Sequence, residues 1–518
     1  MPASITGVNG PMTVQGIAVT AKQMQAIESW MFTAQMPVAA LMEKVSGRIA
    51  AWVMDHYGPG TLLVIVGPGH NGGDALVVAR ELYHHGYSPS LCVPLEGHKA
   101  LTGQHLAYAK ALGIPVISPE AIAGQTPDVI LDGLFGFGLS RPIDGELAQL
   151  VDRVNALDAP IISIDLPSGI HTDSGAALGT AVRASHTLCL GLWKRAFVQD
   201  QALAYLGQSD LIEFDIPPEA IAAGLDQPSL TRVSRAAVAA ALPLRRSPTT
   251  YKYREGHLLL VCGSETYLGA ALLTGLAARA SGVGMLTIAV PQSLKPLLAA
   301  QIPDAVTVGC PTTDGAIAAF PEGFDWGRFD AIACGPGLTQ QAQILPAVLA
   351  TDLPLLLDAD GLNLLAQMDT RLSQRRAYTL LTPHAGEFQR LFPAQPSQPP
   401  QGDRIGQAQA AAQECGGTVL LKGACAVIAA PNGQTWVNPH STPALARGGS
   451  GDVLTGVIGG LMAQLAARGE AVESAAWSGA WWHAQAALRL AATRGVSGVD
   501  AHTLATQLAP LLPQILER

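Results

Sequence analysis

A glycine loop in the first half of the sequence combines backbone donors with polar side chains. The apolar run 61–66 leads into Gly-Pro-Gly-His-Asn-Gly-Gly-Asp at 67–74 and then into a stretch of helical composition. A strand that ends in such a loop at a helix N-terminus presents N–H groups and the positive end of the helix dipole, which suits a phosphate or another anion. The loop is neither GxGxxG nor a Walker A sequence. A merely structural turn, with Asp74 as a helix cap, stays open as the alternative.

Two carboxylates of the same half stand where apolar strands stop and Gly- or Pro-rich loops begin. Asp132 precedes Gly-Leu-Phe-Gly-Phe-Gly-Leu, and Asp165 precedes Leu-Pro-Ser-Gly. Because parallel strands bring their carboxyl ends to one edge of a sheet, we expect both acids near Asn71 and Ser168. Together these oxygens would hold a monovalent or divalent cation, with one acid free as a base. Alternatively, each acid only caps its loop.

A second glycine loop lies near the C-terminus. The sequence Arg-Gly-Gly-Ser-Gly-Asp at 447–452 opens an apolar helix, which again predicts an anion-binding N-terminus. An acid at an anion site makes electrostatic sense if it takes a proton from a hydroxyl there, as the bases of phosphoryl transfer do. Asp452 is therefore a candidate base, with a plain capping role as the alternative.

Four more loops of the second half carry polar groups after predicted strands. They begin at Cys334, Asp358, Leu381 and Leu420, and they include His384 and Lys422. Four such loops at strand ends favour one shared cleft. A lysine at a strand end suits a phosphate, whereas His384 taken alone fits a structural histidine equally well.

The elements that must position these residues alternate between short β-rich runs and helical stretches, which predicts an α/β protein with mostly parallel sheets. We expect strands at 61–66, 128–131, 161–164 and 186–190 in the first half. The second half predicts strands at 257–261, 285–290, 331–334, 354–358, 378–382, 418–421 and 426–429, with long helices near 451–467 and 471–494. A linker is expected near 217–230 and a surface loop at 394–401. The predicted domains are residues 1–225 and 226–518.

Composition excludes several classes of protein. Of 518 residues, 48% are apolar, which excludes disorder, and the net charge of -9 argues against nucleic-acid binding by a broad basic surface. No apolar run is long enough to cross a membrane and no secretory signal is visible, so we expect a cytoplasmic protein without membrane contact. The seven scattered cysteines predict free thiols. Self-association is expected from the Ala/Leu-rich surfaces.

The three polar segments of the first half resemble those of the NAD(P)H-hydrate epimerase family, over roughly residues 15–225. The resemblance implies a Rossmann-like three-layer αβα domain. It implies K⁺ held by Asn71, Asp132 and Ser168, with Asp165 as the catalytic carboxylate. Two residues depart from the family pattern: His70 stands where Asn is usual, and Ala75 where Gly is usual. The implied substrate contacts are His70, Asn71, Gly72, Gly73, Asp74, Gly136, Phe137, Gly138, Leu139, Ser140, Arg141, Pro142 and Asp165.

The second half resembles the ADP/ATP-dependent NAD(P)H-hydrate dehydratases, a ribokinase-like αβα family, over roughly residues 245–515. Thr-Pro-His-Ala-Gly-Glu at 382–387 and the second glycine loop carry the resemblance. Arg447, beside that loop, lies in a segment that departs from the family pattern. The resemblance implies contacts of the hydrated nucleotide with Ala270, Gly337, His384 and the catalytic Asp452. The implied adenine-nucleotide contacts are Lys422, Gly423, Ala424, Cys425, Ala426 and Gly451.

The two resemblances together imply an enzyme that repairs hydrated NADH and NADPH. Its first half would interconvert the R and S hydrates, and its second would dehydrate the S form with ADP as phosphoryl donor and Mg²⁺ as cofactor. One alternative is a vitamin or sugar kinase with an accessory ligand-binding N-terminal domain. The other is a scaffold whose first half is a non-catalytic interaction module, although such a module has no need of both Asp132 and Asp165.

Overall fold

A computed structural model describes residues 5–7, 10–12, 16–225, 230–243, 245–368, 372–393 and 403–516. The chain divides into two compact units, Met1–Leu230 and Thr231–Arg518. Within the described residues, no helix is long and apolar enough to cross a membrane. The expected surface loop at 394–401 lies outside the described residues.

Seven parallel strands form the main sheet of the first unit, in the order β11-β9-β8-β7-β4-β5-β6. A small antiparallel pair (β1 and β2) and a parallel pair (β3 and β10) accompany it. The strands are β1 (Ile5–Gly7), β2 (Gly10–Met12), β3 (Ile17–Val19), β4 (Thr61–Val66), β5 (Ser88–Cys92), β6 (Val116–Ile117), β7 (Val129–Gly133), β8 (Ile161–Ile164), β9 (His186–Leu190), β10 (Trp193–Lys194) and β11 (Gln208–Ile212). The helices are α1 (Ala21–Thr33), α2 (Val38–His56), α3 (His70–His84), α4 (Ala100–Ala111), α5 (Gly145–Asn155), α6 (Leu203–Leu206) and α7 (Pro218–Gly224).

Helices cover both faces of this sheet, which explains why its strands read as continuous apolar runs. Along β4, Leu62 and Val64 pack into a cluster with α1, α2 and α3. The alternating residues Leu63 and Ile65 pack into a second cluster with α5. The predicted three-layer αβα arrangement is therefore confirmed. The linker expected near 217–230 is wrong over most of its length, because 218–224 forms α7, whose Ile221 is buried in the core.

The second unit has a mainly parallel sheet in the order β23-β22-β21-β20-β19-β18-β13-β14-β15. Only β22 runs against its neighbours within this set. The strands are β12 (Leu230–Arg232), β13 (His257–Val261), β14 (Met285–Pro291), β15 (Val306–Cys310), β16 (Thr312–Thr313), β17 (Ala316–Ile317), β18 (Ala331–Cys334), β19 (Leu355–Leu357), β20 (Thr379–Leu381), β21 (Thr418–Leu421), β22 (Ala426–Ala429) and β23 (Thr435–Asn438). The helices are α8 (Arg235–Ala241), α9 (Leu268–Ala280), α10 (Lys295–Gln301), α11 (Leu345–Leu349), α12 (Asp360–Leu365), α13 (Ala385–Leu391), α14 (Arg404–Cys415), α15 (Ser450–Ala467), α16 (Ser474–Arg494) and α17 (Ala501–Leu516).

Helix α15 is the central helix of this unit and is buried over most of its length. Glycines let it approach α9 closely, since a Cβ on Gly456 would lie 2.2 Å from the carbonyl oxygen of Thr274. The same packing fixes where α15 begins, and therefore where its N-terminal loop lies. None of the seven cysteines, which all lie in the described part of the chain, forms a disulfide, as predicted.

Candidate active sites

The loop between β4 and α3 is shaped by backbone approaches that only glycine permits. A Cβ on Gly67 would lie 1.7 Å from the carbonyl oxygen of Leu134, and one on Gly72 would lie 1.9 Å from the carbonyl oxygen of Gly67. A Cβ on Gly73 would meet the flexible end of the Met42 side chain, which can move. Close backbone packing therefore requires glycine at 67 and 72, whereas a Cβ on Gly69 would meet nothing within 4 Å.

Asp132 and Ser168 form a buried polar pair at the ends of β7 and β8. The Ser168 hydroxyl donates to Oδ1 of Asp132 at 2.6 Å, and the Ser168 N–H donates to Oδ2 at 2.9 Å. Ser163 and the N–H of Leu134 complete the hydrogen bonding of the carboxyl. Burial raises the pKa of Asp132, and these hydrogen bonds oppose the rise. Asp132 and Ser168 thus lie together at one edge of the sheet, as expected.

Asp165 stands at the end of β8 in a left-handed backbone conformation, with φ of 70°. This position is unusual for a residue with a side chain and aims the carboxyl at the loop after β7. Its Oδ2 accepts the N–H of Phe137 at 2.8 Å. Its Oδ1 contacts the ammonium of Lys194 at 2.5 Å.

Lys194 is a site residue that sequence reasoning missed. It is fully buried at the end of β10, where its Nζ also donates to the carbonyl oxygen of Leu190 at 2.5 Å. Burial alone lowers the pKa of this ammonium, but the Asp165 carboxylate and other acidic neighbours outweigh burial and raise it overall. A lone lysine after a short strand gave no signal in the sequence.

A cavity of about 470 Å³ opens between these groups. Its lining includes His70, Asn71, Asp74, Gly136, Phe137, Gly138, Leu139 and Asp165 of the predicted contacts. Within the described lining, Gly72, Gly73, Ser140, Arg141 and Pro142 do not appear. Helices α1 and α2 contribute much of the remaining wall, and Glu28, Lys99 and Lys194 are further charged groups in the lining.

The two residues that depart from the family pattern, His70 and Ala75, are accommodated without displacing a predicted ligand. Burial and the charge of Lys99 lower the pKa of His70, so its ring favours the neutral form. The methyl group of Ala75 is accommodated by Gly133, where an added Cβ would lie only 2.3 Å from it.

A second cavity, of about 990 Å³, lies in the second unit between α9, the loop after β18 and the start of α15. It is lined by Thr266, Tyr267, Gly269, Ala270, Leu273, Gly337, Thr339, Gln340, Gln341, Asp360, Gly448, Gly449 and Asp452. Gly337 has φ of 67° and approaches Ala270 so closely that a Cβ on it would lie 2.8 Å from that methyl group. The structure thus brings together three of the four predicted substrate contacts.

Asp452 lies in the first turn of α15 and faces acidic neighbours. Burial raises its pKa to about 6, the nearby charges of Asp358 and Asp360 add to the rise, and Lys422 opposes it. A carboxyl with such a pKa is suited to accept a proton near neutral pH. Its side chain makes no hydrogen bond with another described residue.

Lys422 is bound to a buried acid. Its ammonium contacts Oδ1 of Asp358 at 2.5 Å, and the hydroxyl of Thr455 donates to Oδ2 at 2.6 Å. The same ammonium lies 3.4 Å from where a Cβ on Gly451 would stand, so the predicted nucleotide contacts Lys422 and Gly451 are neighbours. The guanidinium of Arg404 packs against Gly423, where a Cβ would lie 2.1 Å from Nη2 of Arg404.

His483 on α16 is a further residue that sequence reasoning missed. Its Nε2 lies 3.0 Å from the carbonyl oxygen of Ser450, at the first residue of α15. Burial lowers its pKa to about 4, so it is neutral and donates this hydrogen bond. His483 therefore helps to fix the glycine loop.

His384 has a clear structural role. Its Nδ1 accepts the N–H groups of Gly386 and Glu387 at the start of α13, and the Glu387 carboxylate accepts the N–H of His384 in return. This is a capping box with histidine in the usual place of Ser or Thr. In the described lining of the larger cavity, neither His384 nor the segment 422–426 appears.

The guanidinium of Arg447 binds backbone carbonyls of the segment before α17. Its Nη1 donates to the carbonyl oxygens of Ser497 and Val499, at 3.1 and 3.0 Å. The departure at this position therefore ties the loop to the turn before α17.

Both halves of the chain match known families. Residues 258–510 match the family described as NAD(P)H-hydrate dehydratase, and residues 38–196 match the family described as YjeF-related protein N-terminus. The chain is 50% identical over 503 residues to the bifunctional NAD(P)H-hydrate repair enzyme Nnr of Thermosynechococcus vestitus, covering 96% of this chain and 98% of that one. The chain belongs to the bifunctional NAD(P)H-hydrate repair enzymes.

A second repair enzyme and one solved structure are also similar to this chain. The Synechocystis repair enzyme Nnr is 51% identical over 507 residues, covering 96% of this chain and 95% of that one. The crystal structure of the ADP/ATP-dependent NAD(P)H-hydrate dehydratase from Bacillus subtilis, co-crystallized with ATP/Mg²⁺, is 33% identical and has a TM-score of 0.47. It covers 55% of this chain and 98% of that one.

The family resemblance, the α/β fold class and the pair of enzymatic activities predicted from the sequence are confirmed by these matches. The kinase alternative is not favoured, because the relatives that match the whole chain are repair enzymes. Among the described residues, no group of three or more His, Cys, Asp or Glu side chains is placed to hold a metal ion.

Proposed function

We propose that residues 1–225 of this repair enzyme act as the epimerase and residues 226–518 as the dehydratase, on hydrated NADH and NADPH. The carrying observation is that each unit has a cavity beside a glycine loop at a helix N-terminus, with a partly or fully buried aspartate in its wall. Helix N-termini suit the phosphates of a dinucleotide, and the aspartates suit proton transfer.

In the first unit, the substrate would lie in the 470 Å³ cavity with its pyrophosphate at the loop after β4. The hydroxyl of the hydrate is on C6, next to the ring nitrogen, so that carbon is configurationally labile. Asp165 would take the proton of this hydroxyl and return it after the configuration has changed. His70 to Asp74 and Gly136 to Pro142 would provide the surrounding contacts.

A potassium ion in the first unit would be held by Asn71, Asp132 and Ser168. The oxygens of Asp132 and Ser168 are already adjacent, at 2.6 Å. The buried Nδ2 of Asn71 has no hydrogen-bond partner among the described residues, so no hydrogen bond of that nitrogen fixes which way the amide faces. Oxygen ligands of this kind suit a hard cation. The ion would supply positive charge for the substrate's phosphates.

In the second unit, Asp452 would take the proton of the C6 hydroxyl of the S hydrate as its oxygen attacks the terminal phosphorus of ADP. AMP leaves, and phosphate then departs from C6 with the electron pair of the C–O bond. Loss of a proton from C5 restores the dihydronicotinamide. Phosphorylation helps because phosphate is a far better leaving group than hydroxide. Ala270, Gly337 and His384 would contact the hydrate.

The adenine nucleotide would bind along Lys422, Gly423, Ala424, Cys425 and Ala426 and at Gly451. Mg²⁺ is held mostly by substrate phosphates with one or two carboxylates, and Asp360 in the cavity wall is the available one besides Asp452. The ion would neutralise the transferring phosphate. We propose a cytoplasmic location, which the seven free thiols support. Self-association stays a prediction.

The direct test incubates the full chain with mixed hydrate epimers, with and without ADP, and follows recovery of the dihydronicotinamide absorbance. We expect complete recovery with ADP, because epimer exchange feeds the R form into dehydration. Without ADP there should be no recovery. Recovery of only the S fraction would contradict the epimerase assignment, and no recovery with ADP would contradict the dehydratase assignment.

A further inference from the structure

A carboxylate on α1 lines the epimerase cavity but has no place in the scheme above. Gln25, Glu28 and Phe32 follow each other at helical spacing and all line this cavity, while Met24, Ile27 and Met31 hold the neighbouring face in the core. Thr20 and Gln23 form a capping box that fixes the start of the helix. Glu28 is therefore presented to the cavity by a rigid element.

No hydrogen bond or ion pair joins Glu28 to another described residue. Charged groups surround it from several elements: Lys194 on β10, Asp165 after β8 and Lys99 before α4. Asp74 on α3 is close enough for its own pKa to be affected by Glu28. His70 lines the same cavity. A half-buried carboxyl that is held in place, but makes no hydrogen bond or ion pair with another described residue, is available to a ligand.

Epimerisation at C6 needs two proton-transfer groups. The hydrate is a hemiaminal, so opening its ring breaks the C6–N1 bond and leaves the electron pair on N1. A base must take the hydroxyl proton as the aldehyde forms, and an acid must deliver a proton to N1. Rotation about the C5–C6 bond then presents the other face of the aldehyde. Closure reverses both transfers, with no change in oxidation state.

We propose that Glu28 is the second catalytic residue of the epimerase, the acid that protonates N1 while Asp165 accepts the hydroxyl proton. This inference rests on the proposed epimerase function. Asp165 already accepts the Lys194 ammonium and the Phe137 N–H, which suits a proton acceptor. Burial raises the pKa of Glu28 to about 7, partly opposed by Lys194. At neutral pH it therefore holds a proton in about half of the molecules, as a donor requires.

The test is Glu28→Gln in the full chain, with conversion of the purified S hydrate to the R hydrate followed by chromatography without ADP. After subtraction of the spontaneous rate, we expect kcat to fall about 100-fold or more, with KM within about threefold. The matched control is Glu43→Gln, an exposed glutamate on α2 outside the cavity lining. It should keep the unmodified rate.

A pH profile separates proton transfer from a structural role. The kcat/KM of the unmodified enzyme should fall as pH rises through about 7, because Glu28 must carry its proton, and Glu28→Asp should retain such a decline. Glu28→Gln should lack it. A kcat within threefold of normal, a change in KM alone, or no decline near pH 7 in the unmodified enzyme would overturn the inference. If the unmodified chain does not accelerate exchange above the spontaneous rate, the epimerase proposal itself fails, which distinguishes the two failures.

Discussion

The two cavities share a glycine loop at a helix N-terminus and a candidate catalytic aspartate, but they differ in where the lysine is. In the first unit Lys194 contacts Asp165 directly, at 2.5 Å. In the second, Lys422 contacts Asp358 at the same distance, and Asp452 is left beside acidic neighbours with a pKa of about 6. The candidate base of the first unit is thus paired with a lysine, whereas in the second unit the lysine pairs with a neighbouring acid.

Removing the lysine from the first cavity should have the largest effect. Lys194→Met would leave the buried Asp165 without its partner, and breaking a buried ion pair costs about 3–5 kcal/mol. We expect that loss in denaturant unfolding of the first unit, together with loss of epimer exchange. The double variant with Asp165→Asn should recover part of the stability, because no unpaired charge remains. Equal stability of the single and double variants would show that the unpaired Asp165 carboxylate does not cause the loss of stability in Lys194→Met.

Matched glycine substitutions come next and test whether both loops depend on close backbone packing. Gly67→Ala and Gly449→Ala should each destabilise by about 1–3 kcal/mol. At Gly67 the new methyl would overlap the carbonyl of Leu134, and at Gly449 it would meet Leu273 and Ala501 in a left-handed backbone with φ of 86°. Gly69→Ala and Gly448→Ala meet nothing within 4 Å and should be nearly neutral. Thermal unfolding of the four variants measures this. Equal losses within a pair would exclude steric packing as the reason for glycine.

The pH dependence of dehydration tests the environment of Asp452. As a base it must be deprotonated, so kcat/KM for the S hydrate should fall as pH decreases through about 6. Lys422 lowers the pKa of Asp452, so Lys422→Met should move this decline to higher pH. The control is Lys295→Met on α10, outside the lining of the cavity. A decline that stays in place, or moves to lower pH, would refute the proposed coupling.

The smallest effect is expected at Arg447. Arg447→Ala would remove two hydrogen bonds to backbone carbonyls and cost about 1 kcal/mol of stability. Because the guanidinium is engaged by these carbonyls and Arg447 is absent from the described cavity lining, the KM for ADP should change less than threefold. Steady-state kinetics with varied ADP measure it, and a tenfold rise in KM would place Arg447 at the nucleotide instead.

Sequence patterns predicted the elements of the fold well where burial on both faces makes a strand continuously apolar. The strands 61–66, 161–164, 257–261 and 418–421 were predicted with their observed bounds. Helix α7 was mistaken for a linker because of two consecutive prolines, although only Pro217 precedes the helix and Pro218 is its first residue. Proline is tolerated there because that N–H has no partner within the helix.

The sites were predicted unevenly for a physical reason. Glycine loops and strand-end acids are local signals, so Asn71, Asp165 and Asp452 were found, and all three line the cavities. Glu28 and Lys194 reach the first cavity from elements far apart in sequence, and a single charged residue carries no local signal. His384 and Glu387 are spaced as a capping box, a pattern that was overlooked because histidine is unusual at its first position.

The most direct test of two separate catalysts is a crosswise comparison of Asp452→Asn and Asp165→Asn in the full chain. Each variant is assayed for epimer exchange without ADP and for dehydration of the purified S hydrate with ADP. We expect Asp452→Asn to lose dehydration by about 100-fold or more and keep exchange, and Asp165→Asn to do the reverse. Loss of both activities in both variants would contradict the two-site account.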